Sequence, residues 1–173
     1  MLKELTKENH TKAENSRFVK ALFKKELPAE AYADYLANQN FVYRVLENLC
    51  SENGLLEGIE DIKRTDKIQK DSFSLGIDAR LYDSSIKYGE HISQLPKELL
   101  VAHLYVRHFG DMYGGQMMKK VVPGNPTMYD FENKEELIAK VREMLHDGLA
   151  DEANRCFEFA LELFEEIANE HDL

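Results

Sequence analysis

Between Ala31 and Cys50, the residues Tyr32, Tyr35, Leu36, Gln39, Val42, Tyr43, Leu46 and Leu49 recur at i, i+3, i+4, i+7 spacing. That period puts side chains on one face of an α-helix. A stripe this long must be covered by other elements, and the same period runs through most of the chain, so the covering elements are read as helices too. Four prolines and nine glycines in 173 residues leave few places to interrupt them. Pro28, just inside the start of the long stripe, suits a first helical turn.

Residues 4–25 read as one helix burying Leu5, Ala13, Phe18, Ala21 and Leu22. Near the other end, Leu149, Ala153, Cys156, Phe157, Ala160, Phe164, Ile167 and Ala168 make a stripe, with Glu158, Glu162, Glu165 and Glu166 on the wet side. Between them we expect helices over residues 79–92 and 97–122, and one beginning near Asn133. Asn133 and Glu136 have the capping-box spacing. Pro123, Gly124 and Pro126 stop the second of these helices. Residues 54–76 are polar and weakly periodic, and read as a connection with at most a short helix. The expected class is all-α: a single domain over residues 1–173, built as a bundle of about six helices around one core.

The chain carries a formal charge of −10, which argues against general nucleic-acid binding, because phosphate neutralisation needs concentrated Lys and Arg. Cys50 and Cys156 form no CxxC or CxxCH unit and read as small core hydrophobes in a reducing compartment. The first residues are charged, and no stretch approaches the roughly 20 apolar residues needed to span a bilayer. The expectation is a cytoplasmic protein with no membrane or nucleic-acid partner.

The stretch RHFGDMYGGQMMKK, Arg107 to Lys120, places Gly110, Gly114 and Gly115 inside a helical pattern. Each interior glycine costs about 1 kcal/mol relative to alanine, so the bare backbone needs a use. Gly110 and Gly114 share a face. They allow a flat ligand to approach closely, or a close helix–helix seam, or a kink. Asp111 sits between apolar neighbours. If buried, it needs a partner such as Arg107 one turn earlier, or water; if exposed, the same spacing is an ordinary surface ion pair.

His10 and Glu14 are also one turn apart. A carboxylate so placed accepts the Nδ1 proton of the imidazole and leaves Nε2 free for a metal, although many helices carry such a pair on their surface for no further purpose. With one histidine and no second ligand at metal spacing, a bare zinc site does not fit. Haem does, because it brings four ligands of its own and is commonly held by one axial histidine.

Together, ENHTKAENSRF near the N-terminus and YVRHFGDMYGGQMMKK in the second half resemble the two signature segments of the haem (heme) oxygenase family. EANRCFEFALELFEEI resembles that family's last core helix. The resemblance implies an all-α fold with haem sandwiched between a proximal helix and a kinked distal helix. It implies His10 as axial iron ligand, Glu14 as the partner of that imidazole, and Gly110 and Gly114 against the distal haem face. Asp111 would hold the distal water. Lys3 and Tyr105 match positions that contact haem propionates, Arg142 is the corresponding C-terminal arginine, and Arg107 joins the cofactor-binding set. The implied reaction opens haem to biliverdin, carbon monoxide and ferrous iron with O2 and electrons from a ferredoxin or a flavin-dependent reductase. Haem is then both cofactor and substrate. A carrier or sensor of the same fold without turnover is the other expectation.

Three residues depart from the pattern: Tyr113 where a small serine is usual, His108 in place of a tyrosine, and Ala160 in place of an amide side chain. They bear on the distal water network. Arg17, Lys20, Lys24, Lys25, Lys119 and Lys120 form either a basic docking face for an acidic ferredoxin or a set of solvated helix faces.

Overall fold

The computed structural model describes all 173 residues, as nine α-helices and three short 3-10 turns with no strand. The all-α expectation holds. The N-terminal region, however, is three helices rather than one: α1 (Leu2–Leu5), α2 (Lys7–Glu14) and α3 (Arg17–Phe23). Each break falls at a residue whose short hydroxyl side chain bonds the neighbouring backbone: at Thr6 in addition to the ladder bonds of its own amide and carbonyl, at Ser16 in place of a ladder bond for the Val19 amide on the α3 side. The Thr6 hydroxyl donates to the Leu2 carbonyl at 3.0 Å. Ser16 adopts an extended conformation and its Oγ accepts from the Val19 amide at 3.2 Å, capping α3. In consequence α2 buries no residue and Leu5 is exposed, contrary to the single-helix reading, while Phe18 and Leu22 are buried as expected.

Helix α4 (Ala29–Glu52) carries the long stripe, and Pro28 is the last residue before it rather than its first turn. Tyr32, Tyr35, Leu36, Val42, Tyr43 and Leu46 are all buried. So is Glu47, whose carboxylate accepts from the backbone amides of Arg64 at 2.7 Å and Thr65 at 3.1 Å. Those amides open α5 (Thr65–Leu75), an 11-residue helix in the stretch read as a connection. A carboxylate at a helix N-terminus satisfies its free N–H groups and its dipole, and Gly76 closes the helix in the left-handed conformation at φ 65°. Arg64, almost wholly buried, donates to the carbonyls of Asp61, Ile62, Lys63, Met128 and Asp130. Among the polar residues that hide this segment's period, Arg64, Thr65 and Asp71 hold it to the rest of the molecule.

Four helices complete the bundle: α6 (Asp83–Ser93), α7 (Lys97–Met118), α8 (Lys134–Arg142) and α9 (Ala150–Glu170). Helix α8 starts where expected, but Asn133 has φ 54° and its side chain makes no cap bond, so the capping box does not form. Helix α4 packs on α5 and α6, and α9 is the common support on which α2, α3, α6 and α7 all rest. Cys50 and Cys156 are buried and free. Burial pushes the Cys50 thiol up to about 12, consistent with a core hydrophobe. No helix is long and apolar enough to cross a membrane.

Candidate active site

Helix α2 presents His10 and Glu14 together at the surface. His10 Nδ1 lies 3.5 Å from Glu14 Oε1, with side chains 60% and 64% exposed. The imidazole meets the Phe157 ring of α9 edge-on at 6.0 Å. Because Nδ1 turns to the carboxylate, Nε2 is left to bind something else.

The three glycines of α7 separate into two kinds. A Cβ added at Gly110 or Gly114 would meet nothing within 4 Å, whereas one at Gly115 would lie 3.0 Å from the Tyr129 ring. Helix packing therefore explains Gly115 alone. At Gly110 and Gly114 the bare backbone opens onto free space, which fits a flat ligand rather than a neighbouring helix. Helix α7 stays helical through all three.

Asp111, on the same stretch, is buried. Of the partners open to a buried Asp111, Arg107 or water, it does not take Arg107. The Tyr43 hydroxyl of α4 donates to Asp111 Oδ2 at 2.5 Å, and Arg107 turns to Tyr88, with Nε donating to the hydroxyl at 3.0 Å, and to Gln39 Oε1 at 3.3 Å. Burial pushes the Asp111 carboxyl up to about 6, against the Tyr43 hydrogen bond and the positive charges of His108, Arg64 and Arg107. His108, fully buried, shares a 2.8 Å hydrogen bond between Nε2 and Glu47 Oε2.

A buried polar layer thus runs between α4 and α7, with Gln39, Tyr43 and Glu47 on one side and Arg107, His108 and Asp111 on the other. The α4 half escaped the sequence reading. Its signal was present, since Gln39, Tyr43 and Glu47 are spaced i, i+4, i+8 and put two polar groups on an apolar face.

The remaining predicted residues are dispersed. Lys3 is exposed on α1, and Tyr105 is half-buried on α7, its ring 5.6 Å from Phe109. Arg142, exposed at the end of α8, donates to the Tyr113 hydroxyl. Tyr113 is itself 56% exposed and leans on Phe109.

The heme oxygenase family model matches residues 1–138. The chain belongs to the heme oxygenase family. It is 30% identical over 202 residues to Heme oxygenase 2 of the rabbit Oryctolagus cuniculus, covering 96% of this chain and 65% of that protein. It therefore spans somewhat less than two thirds of that relative's length. To Heme oxygenase 1 of a Nostoc species it is 29% identical over 195 residues, covering 94% and 82% of the two chains. Among solved structures, heme oxygenase from Leptospira interrogans superimposes with a TM-score of 0.84 at 26% identity, covering 95% of this chain and 97% of that one. Heme oxygenase-1 from Synechocystis in complex with heme gives 0.83 at 22% identity, covering 98% and 91%, a likeness of fold.

For a heme oxygenase family member, the glycine geometry makes a paired prediction. Gly110→Ala places a methyl group in open space within a helix, so the protein is expected to gain about 0.5–1 kcal/mol. Gly115→Ala drives Cβ against the buried Tyr129 and is expected to lose about 1–3 kcal/mol. Denaturant unfolding of the two variants reads the opposite signs directly.

Proposed function

We propose that this protein is a haem oxygenase, converting haem to biliverdin, carbon monoxide and ferrous iron with O2 and external electrons. The observation that carries this reading is the open backbone face at Gly110 and Gly114 beside a buried carboxyl, since holding haem through one histidine requires neither feature. Bound haem supplies the iron at which dioxygen is reduced and the macrocycle that is cleaved.

His10 Nε2 would hold the iron, and Glu14 would hold the imidazole by accepting from Nδ1, directly or through one water, which orients the ring and raises its basicity. Gly110 and Gly114 would keep their side of a bound haem free of side chains and so leave room there for a small molecule. Asp111, with a carboxyl near 6, exchanges its proton readily around neutral pH. Tyr43 fixes the orientation of that carboxyl, and through it the water it holds.

Arg107 is buried and donates to Tyr88 and Gln39, so we assign it to positioning within the buried layer and not to direct contact with haem. Lys3, Tyr105 and Arg142 supply the polar and cationic groups for the propionates.

Of the basic residues proposed for an electron donor, Arg17 is tied to Glu165 and Lys119 to Asp130. Lys20, Lys24 and Lys25 on and just after α3 make no ion pair. They offer a cationic patch to an acidic ferredoxin in the cytoplasm, whose electron-transfer rate is expected to fall as salt rises. A rate independent of salt would discard the patch.

The test of the activity is reconstitution with ferric haem, followed by reductant and air. One haem per chain with a histidine-ligated Soret band, then verdin absorption and carbon monoxide release, is the expected course. Stoichiometric binding with no verdin under several reductants would leave a carrier, and no stoichiometric binding would remove both.

A further inference from the structure

A second constellation lies away from the glycine face, where α6, α7 and α9 meet. His91 Nε2 and His103 Nε2 stand 2.6 Å and 2.8 Å from the same oxygen of Glu152, Oε1. One donor atom from each of the three residues lies within 4.8 Å of the others. The His103 side chain is fully buried, Glu152 is 13% exposed and His91 28% exposed, so solvent reaches the cluster mainly at His91 and less at Glu152. Two imidazole nitrogens and a carboxylate oxygen converging from three helices, with one side open, are the donor set of a three-ligand transition-metal site.

The groups behind the cluster fit the same reading. For His103 Nε2 to offer a lone pair, Nδ1 must carry the proton and donate it. Its neighbour there is the Tyr88 hydroxyl at 2.7 Å. That oxygen already accepts from Arg107 Nε, and the Cys156 sulfur, 3.9 Å away, is a partner toward which its O–H can turn. Tyr88 is thus free to accept from His103 Nδ1, and the arrangement is the orienting hydrogen bond that metal-bound histidines characteristically make. The Glu152 oxygen can accept a proton contact from each ring, and a divalent ion would take the place of those two protons and satisfy all three donors at once. Ligand bonds of 2.0–2.2 Å at tetrahedral angles set donor atoms roughly 3.3–3.6 Å apart. The 2.6 Å and 2.8 Å contacts must therefore open by roughly 0.5–1.0 Å, and the part-exposed His91 is the side chain placed to move.

We propose that His91, His103 and Glu152 form a second metal site, which binds one divalent first-row transition ion of the zinc class, completed by water, and ties α6 and α7 to α9. The site is independent of haem. His103 and Glu152 come from segments that carry the core, and His91 is the residue through which an ion enters and leaves.

Zn2+ added to chelator-treated full-length protein, haem-free and haem-loaded, tests this by competition with a chromophoric chelator. We expect one ion per chain in both forms and a rise in Tm, retained in His10→Ala. In His91→Ala and in Glu152→Gln, affinity is expected to fall by more than the roughly 10–100-fold that follows loss of an orienting partner, and in Tyr88→Phe by an amount within that range. Co2+ substitution should give the intense visible bands of a four-coordinate ion in the wild type and lose them in His91→Ala. Circular dichroism shows which variants are folded, and His91→Ala, at a part-exposed position, is the one expected to be unperturbed. Absence of stoichiometric Zn2+ binding, or binding unchanged in both His91→Ala and Glu152→Gln, would overturn the proposal.

Discussion

His10→Ala protein is expected to form no measurable biliverdin, and added imidazole is expected to restore part of the activity. No second histidine, cysteine or methionine stands on α2, whose remaining side chains are Lys, Glu, Asn, Thr and Ala. The loss should come from ligation and not from folding. The imidazole is 60% exposed and its pairing with Glu14 is a surface contact, the kind that contributes a few tenths of a kcal/mol at most. Unfolding midpoints of the haem-free variant and wild type should therefore coincide within about 0.5 kcal/mol, while the ferric Soret band moves away from its histidine-ligated position. Exogenous imidazole fills the space left by the side chain and returns the band. Glu14→Ala should be milder, with a loss of roughly 10–100-fold in turnover or haem affinity, as for other partners that orient a ligand. Full activity of His10→Ala without imidazole would remove His10 from the site.

Asp111→Asn is expected to lower biliverdin formation by at least about a hundredfold, the usual contribution of a positioned proton donor. Oxygen consumption should continue, with oxidation of an added phenol rising as verdin yield falls. Asparagine is the cleaner replacement because its carbonyl can still accept from Tyr43; alanine would strand that buried hydroxyl at a cost of about 1–3 kcal/mol. The pH dependence gives a separate check. The native carboxyl is raised to about 6, and the unfolded value is about 3.9, so between these the native state holds more protons than the unfolded chain. Stability from the protonated form is complete below pH 4 and is lost as pH rises through 6. The variant lacks this loss. Its stability relative to wild type should therefore improve by about 2 kcal/mol between pH 4 and pH 7, and the limb near pH 6 in the wild-type turnover profile should vanish. Unchanged verdin yield would reduce Asp111 to a buried structural partner of Tyr43.

Legibility in the sequence followed the range of the interaction. The faces of α4 and α9 could be read because a helical period is local. His10 with Glu14, and Gly110 with Gly114, could be read for the same reason. The division of residues 4–25 had a local signal in Thr6 and Ser16, hydroxyl residues that bond backbone groups, but an unbroken apolar spacing masked it. Helix α5 had no such signal. Its start is held by Glu47, on another helix, and its polar residues are spent on contacts to Thr127 and Met128. The Arg107–Asp111 pairing failed because one-turn spacing states only that two residues can meet, while Tyr43 and Tyr88, brought in by α4 and α6, offered closer partners.

By itself, the sequence determined the helical class, the faces on which His10, Glu14, Gly110 and Gly114 lie, and the two segments that resemble heme oxygenases. Each is set within one or two turns of a single helix, where 3.6 residues per turn leaves no freedom. Only the tertiary structure decided which glycines face open space and which faces Tyr129, what Asp111 bonds, and that His91, His103 and Glu152 share one oxygen. Those outcomes depend on how whole helices are rotated and slid against one another, which is settled by packing across the core and cannot be read from the spacing within any one of them.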